Sequence, residues 1–181
     1  EYMLSWAREN AGPYIDSGLA RFIQADASDF VLSDRFGLVV STYDSLNHLA
    51  DKRSLANCFR CAHKVCDGYF LFDLNTRKGL DWWNVTRVDE DDGRLVVIRQ
   101  GSYDGQSARA QMKFTVFTIM PDESYRRYDE TVYNTVFEMG WVEKALHEAG
   151  FSHVHFARID DLSTPLTDPE EVGRVFVVAR K

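Results

Sequence analysis

The run Phe36-Gly37-Leu38-Val39-Val40 is almost wholly apolar and ends abruptly in the polar cluster Ser41-Thr42-Tyr43-Asp44-Ser45. Further along, Tyr69-Phe70-Leu71-Phe72 repeats the pattern and ends in Asp73-Leu74-Asn75. Continuous apolar runs of this length mark strands buried on both faces. Between them, Leu55, Cys58, Phe59, Ala62, Val65 and Cys66 recur at helical spacing, which predicts a helix from about Asp51 to Cys66 with Gly68 as its left-handed cap. Strand, helix, strand with polar residues at both carboxyl ends implies a parallel pair joined by a crossover, and so an α/β fold. In such sheets ligands bind beyond the carboxyl ends of the strands. The clusters at Ser41–His48 and Asp73–Asn75 are therefore the first places to look for function, with Asp26-Ala27 a third.

Upstream, Glu1–Asn10 has helical rhythm and Gly12-Pro13 reads as its stop. Ala20–Gln24 reads as a short strand ending at Ala25-Asp26. Downstream the pattern changes. From Arg94 to Tyr133 the chain is strand-like and half exposed, with turn signals at Asp104-Gly105 and Pro121–Ser124. The apolar phase shifts at Phe117 and Ile119, which suggests a bulge, and the whole reads as an antiparallel elaboration of two or three strands. The acidic run Asp89–Asp92 before Gly93 reads as a solvated turn. Trp141–Ala149 returns to helix with Gly150 as cap, and Val154–Arg158 and Arg174–Ala179 are closing strands.

Composition narrows the functional classes. The 181 residues carry 21 Lys+Arg against 28 Asp+Glu, a net charge of −7, with no basic block. Nucleic acid is therefore excluded as a natural partner. No apolar run approaches the ~20 residues of a membrane helix, so no membrane association is expected. Cys58, Cys61 and Cys66 could be half a zinc site, but they lie on the apolar helix stripe and only His63 is near, so they read as packed, reduced thiols of a cytoplasmic protein with no metal.

The helix Glu1-Tyr2-Met3-Leu4-Ser5-Trp6-Ala7-Arg8, the strand ending Phe22-Ile23-Gln24-Ala25-Asp26-Ala27, and the strand and loop from Phe36 to Leu49 together resemble a class I S-adenosylmethionine-dependent methyltransferase. So do the Gly68 turn, Phe72-Asp73-Leu74-Asn75, Ala149-Gly150-Phe151 and Val175–Ala179. The nearest subset is the small-molecule enzymes that include glycine and amino-sugar N-methyltransferases. The resemblance implies a Rossmann-like, mostly parallel sheet with helices on both faces (residues 1–84 and 134–181). It also implies that residues 85–133 form an antiparallel β extension covering the substrate side. It implies S-adenosylmethionine as cofactor, with Met3 on the adenine face, Asp26 and Ala27 at the adenine edge, and Ser41, Thr42 and Tyr43 along the methionine part. His48 matches a substrate-site histidine and is the candidate catalytic base or orienting group. Asn47, Asn75, Trp83, Tyr128 and Tyr133 are candidate substrate contacts.

Each has a plainer reading: Asp26 as a turn cap, His48 as a surface histidine at a helix start, the aromatics as packing. The family's glycine-rich turn and its ribose-binding acidic residue do not occur. The order of motifs leads us to expect that strand–helix–strand unit, on the order of 30 residues, before Glu1. Two other classes remain open. One is a nucleotide-dependent oxidoreductase, which would need a glycine fingerprint. The other is a non-catalytic relative that forms a homodimer through the extension.

Overall fold

The computed structural model describes residues 2–181. It is a mixed α/β fold with two four-stranded sheets. The elements in chain order are α1 (Tyr2–Asn10), α2 (Gly12–Asp16), β1 (Phe36–Ser41), α3 (Lys52–Val65), β2 (Cys66–Asn75), α4 (Arg77–Asp81), β3 (Thr86–Asp91), β4 (Leu95–Ser102), β5 (Arg109–Ile119), β6 (Tyr125–Thr135), α5 (Met139–Ala149), β7 (His153–Ala157) and β8 (Arg174–Arg180). Glu1, the first residue of the expected N-terminal helix, lies outside the described residues.

The strand–helix–strand order is as expected and β2 is largely buried, but β1 is not buried on both faces, since Phe36, Leu38 and Val40 are exposed. β1 and β2 run parallel, with Val39 opposite Phe70 and Ser41 opposite Phe72. α3 crosses between them. It starts at Asp51, whose side chain accepts from the Ser54 N–H at 2.8 Å, a cap that stabilises by about 1 kcal/mol. Its stripe of Leu55, Cys58, Phe59, Ala62 and Val65 is buried. It packs with α5 on Phe70, Phe72 and Leu74 of β2 and Val175, Val177 and Ala179 of β8. β8 adds to β2 antiparallel, and β7 adds to β8 antiparallel, giving the order β1-β2-β8-β7. One of the three pairings is thus parallel among the described residues, fewer than a mostly parallel sheet needs.

The opposite face of this sheet is open among the described residues, where helices were expected. Leu38, Val40 and Tyr69 project there and are 58%, 50% and 48% exposed. The outer edge of β1 has no strand partner among the described residues. That explains why Ala20–Gln24 is extended coil and not the expected strand: with no ladder to join, its backbone makes no sheet. Arg8 Nη2 of α1 reaches the Phe22 carbonyl at 3.4 Å and ties this coil to the first helix.

Three local readings change for steric reasons. Gly68 is not a helix cap but part of β2. A Cβ there would stand 2.3 Å from the Gly37 carbonyl oxygen, so it is the closeness of the β1 backbone that demands glycine. Gly12-Pro13 does not stop a helix but opens α2, with proline in the first turn, where no N–H is needed. Gly150 does cap α5, at φ 112°.

The second sheet has the order β3-β4-β5-β6, all antiparallel, one strand more than expected. The additional strand is β3. Asp89, Glu90 and Asp91 of the acidic run form its end, and the turn follows at Asp92 and Gly93, both at positive φ. No bulge interrupts β5. Its register with β6 is continuous from Arg109↔Thr135 to Ile119↔Tyr125. The apparent phase shift arises because apolar side chains occupy both faces of an exposed strand, Met112, Phe114 and Val116 on one and Phe117 and Ile119 on the other.

Candidate functional site

At the carboxyl end of β1 the chain turns sharply. Tyr43 and Asp44 have φ of 60° and 48°, two consecutive left-handed residues without glycine. Such a backbone costs roughly 1–2 kcal/mol per residue and persists only where surrounding contacts hold it. Here they do. The Ser45 hydroxyl donates to the Thr42 carbonyl at 2.6 Å, and the Asn47 N–H to the Asp44 carbonyl at 2.9 Å. The Asp44 N–H donates to Asp73 Oδ2, at the end of β2, at 3.0 Å.

Arg174, which opens β8, completes the arrangement. Its Nε donates to the same Asp73 oxygen, and its Nη2 lies 3.2 Å from Asp44 Oδ1. Its guanidinium sits over the Tyr43 ring, 5.7 Å from the centroid. Thr42, Tyr43, Asp73, Arg174, Ile159 and Phe176 line one cleft of about 340 Å³. His48 ends the 3₁₀ turn Ser45–His48. It is about half exposed, with Nε2 4.0 Å from Asp44 Oδ2. Of the expected site residues, the structure therefore gathers Ser41, Thr42, Tyr43 and His48 at one strand end.

Asn47 and Asn75 are adjacent but committed elsewhere. Asn47 is fully buried. Its Nδ2 donates to the carbonyls of Asn75 (3.2 Å) and Thr135 (3.0 Å), and its Oδ1 accepts from the Asn75 N–H (2.9 Å). Asn75 Nδ2 donates in turn to Asn134 Oδ1 at 2.9 Å. These bonds join the end of β2 to the end of β6, so the two asparagines fix the second sheet against the first. Trp83 packs on Leu80, Tyr103, Ala110 and Val136 in a small second core, as the packing alternative anticipates. Tyr128 and Tyr133 stand an odd number of residues apart in an unbroken register, so they project from opposite faces of β6 and do not form one wall.

The expected adenine contacts lie apart, on the N-terminal arm. Met3 is exposed on α1. Asp26 and Ala27 are exposed in a tight turn. Asp26 Oδ1 accepts from the Ser28 N–H (2.7 Å) and Ser28 hydroxyl (2.8 Å), and these bonds hold its carboxyl below the usual carboxylate range. Asp26 is thus a turn cap. Among the described residues, no group of three His, Cys, Asp or Glu stands close enough to hold a metal ion. Burial pushes the Cys58 thiol up to about 12, so it is an inert core group.

Sequence reasoning left Asp44, Asp73 and Arg174 without roles. Asp73 carried a signal, a carboxylate after a buried strand. Arg174 carried none, because only the pairing of β8 with β2 brings it there.

No protein-family model and no curated protein matches the chain. Solved structures do. An S-adenosylmethionine-dependent methyltransferase from Clostridium acetobutylicum superposes with a TM-score of 0.76 at 20% identity, over 99% of this chain and 71% of that one. The CcbJ methyltransferase from Streptomyces caelestis gives 0.73 at 16% identity, over 99% and 71%. The sugar N-methyltransferase KedS8 from a Streptoalloteichus species gives 0.62 at 20% identity, over 87% and 62%. The chain therefore has the fold of S-adenosylmethionine-dependent methyltransferases.

Proposed function

We propose that this protein is an S-adenosylmethionine-dependent methyltransferase acting on nitrogen or oxygen of a small molecule. The observation that carries the reading is the strained Thr42–Asp44 turn at the carboxyl end of a parallel strand, within a fold that superposes along 99% of its length on a methyltransferase of that cofactor. KedS8, a sugar N-methyltransferase, supports the small-molecule acceptor. On this reading residues 1–84 and 134–181 form a Rossmann-like transfer unit, and residues 85–133 form an extension that covers the substrate side.

When bound, S-adenosylmethionine supplies a methyl group on a positively charged sulfur, open to direct displacement. This chain's residues bind and orient. Met3 would pack on the adenine, Asp26 and Ala27 would meet its edge, and Ser41, Thr42 and Tyr43 would hold the methionine part. His48 orients the acceptor or takes its proton on the imidazole, with Asp44 Oδ2 4.0 Å from Nε2. Holding an acceptor lone pair in line at attack distance accounts for most of the rate, because little covalent help is needed from the protein. Asn47 and Asn75 position the acceptor side by tying the second sheet to the first, Trp83 supports it by packing in the second core, and of Tyr128 and Tyr133, which project from opposite faces of β6, one meets the acceptor. The three free cysteines fit a cytoplasmic protein. The half-exposed apolar strands β4 and β5 fit a homodimer through the second sheet.

Calorimetric titration with S-adenosylmethionine, its demethylated product and NAD tests the reading, followed by transfer of labelled methyl to a panel of small amines and alcohols. Binding of the first two and not NAD, with label transferred, is expected. Absence of binding to all three overturns it.

A further inference from the structure

Asp73 has no measurable exposure, yet its Oδ1 has no hydrogen-bond partner. Its other oxygen takes both Arg174 Nε and the Asp44 N–H. A buried carboxylate oxygen left unsatisfied is costly, and native proteins keep such groups where something else supplies the donor. The same residue lines the 340 Å³ cleft with Thr42, Tyr43, Ile159, Arg174 and Phe176. Charge selects the kind of donor. Two carboxylates, Asp44 and Asp73, face one guanidinium, Arg174, and the other neighbour of Asp44 is the His48 imidazole at 4.0 Å; counting histidine as neutral, two minus one leaves one negative charge unpaired. The Arg174 fork is already engaged with both acids and with the Tyr43 ring, so an anion would meet no free cation. Phe176 and Ile159 supply an apolar wall for a compact carbon skeleton.

We propose that Asp73 is a specificity residue, whose Oδ1 anchors an ammonium group borne by the small-molecule ligand of this cleft, with Arg174 and Asp44 holding the carboxylate in position. The proposal rests on the methyltransferase reading only in taking that ligand to be the methyl acceptor. A charge-assisted hydrogen bond formed in a partly dry site favours the ammonium compound over its neutral isostere by about tenfold or more.

The test uses cyclohexylamine and cyclohexanol, which share a ring and differ in the group offered to Asp73. Both are titrated into the 181-residue chain at neutral pH without cofactor, following backbone amide shifts of Thr42, Asp73 and Phe176 and fitting the affinities. The amine is expected to bind about tenfold tighter or better, with Asp73→Asn erasing the difference. Ile159 is exposed in the cleft lining and takes part in neither ion pair, so Ile159→Arg is expected to keep the fold. It is expected to weaken the amine and spare the alcohol, and it decides the matter if Asp73→Asn proves unfolded by circular dichroism. Equal binding, no binding of either up to about 50 mM, or a preference that survives both substitutions overturns the proposal and leaves Oδ1 to water. An ammonium preference in a protein that binds no S-adenosylmethionine removes the methyltransferase reading and keeps the anchor. Methyl transfer to acceptors without regard to an amine does the reverse.

Discussion

Replacing Asn47 by aspartate changes one group and almost no volume, so it isolates what the buried amide does. The native Nδ2 donates to two carbonyls, of Asn75 and Thr135, while Oδ1 accepts from the Asn75 N–H. Asn47→Asp keeps the acceptor and, when ionised, removes both donors at once, placing a single oxygen against the two carbonyl oxygens. Each lost bond costs roughly 0.5–1.5 kcal/mol net, and each buried carbonyl left without a donor adds about 1–3 kcal/mol. Protonation of the new carboxyl recovers one donor, so one lost bond and one carbonyl without its donor remain, an expected loss of about 1.5–4.5 kcal/mol. That is a large share of the ~5–15 kcal/mol that stabilises a domain. Urea unfolding followed by fluorescence and by circular dichroism reads it, with the slope compared as well as the midpoint. Asn47→Ala, which removes all three bonds and leaves a cavity, is expected to cost at least as much. If Asn47→Asp costs under about 1 kcal/mol, the amide is not holding the two sheets together as described. A fully stable Asn47→Asp that loses acceptor binding alone would return Asn47 to the role of a ligand contact.

Gly68→Ala is expected to destabilise by about 1–3 kcal/mol in thermal unfolding, because its Cβ would meet the backbone oxygen of Gly37, whereas Gly12→Ala, with nothing within 4 Å, should be near neutral. Burial, and secondarily Lys181, holds His63 below its ordinary value of 6.5. The unfolded chain then binds the proton more readily, so stability present above pH 6.5 is lost as pH falls through the folded value, and His63→Gln should flatten that part of the pH–stability curve. Asp26→Ala is expected to weaken S-adenosylmethionine binding several-fold, about 1 kcal/mol, with little effect on kcat at saturation. His48→Ala should lower kcat by about 100-fold with cofactor affinity intact, and unchanged turnover would remove its assignment.

Where two buried strands and an amphipathic helix follow one another, the α/β unit is legible from pattern alone, because each apolar position has a single burial solution. α3 and β2 are of this kind, and so is the Gly150 cap, where a positive φ demands glycine; β1 was legible as a strand although one face of it is exposed. Legibility fails where burial is partial. On β5 both faces carry apolar side chains, so its alternation looked broken although its register is continuous. β3 is acidic and exposed along its whole length, and only its ladder to β4 makes it a strand. Ala20–Gln24 fails in the opposite sense, since a strand-like composition without a neighbouring ladder remains coil.

The same reasoning explains which site residues could be read. Thr42, Tyr43 and His48 are contiguous with a legible strand, so topology alone carries them to the crevice. Tyr128 and Tyr133 are candidate substrate contacts by chemistry alone, and the parity of their spacing in an unbroken strand places them on opposite faces. Arg174 is 101 residues from Asp73, and the two meet only because β8 inserts beside β2 in antiparallel register. With Arg174 present, Asp73 becomes a half-satisfied carboxylate at the end of a buried strand rather than a turn cap like Asp26, whose bonds are all to its own loop. The distinction between these two aspartates is one of partners, not of sequence. A cap closes its hydrogen bonds locally and is complete in the free protein, whereas a carboxylate buried with one oxygen free is complete only when a donor arrives from outside.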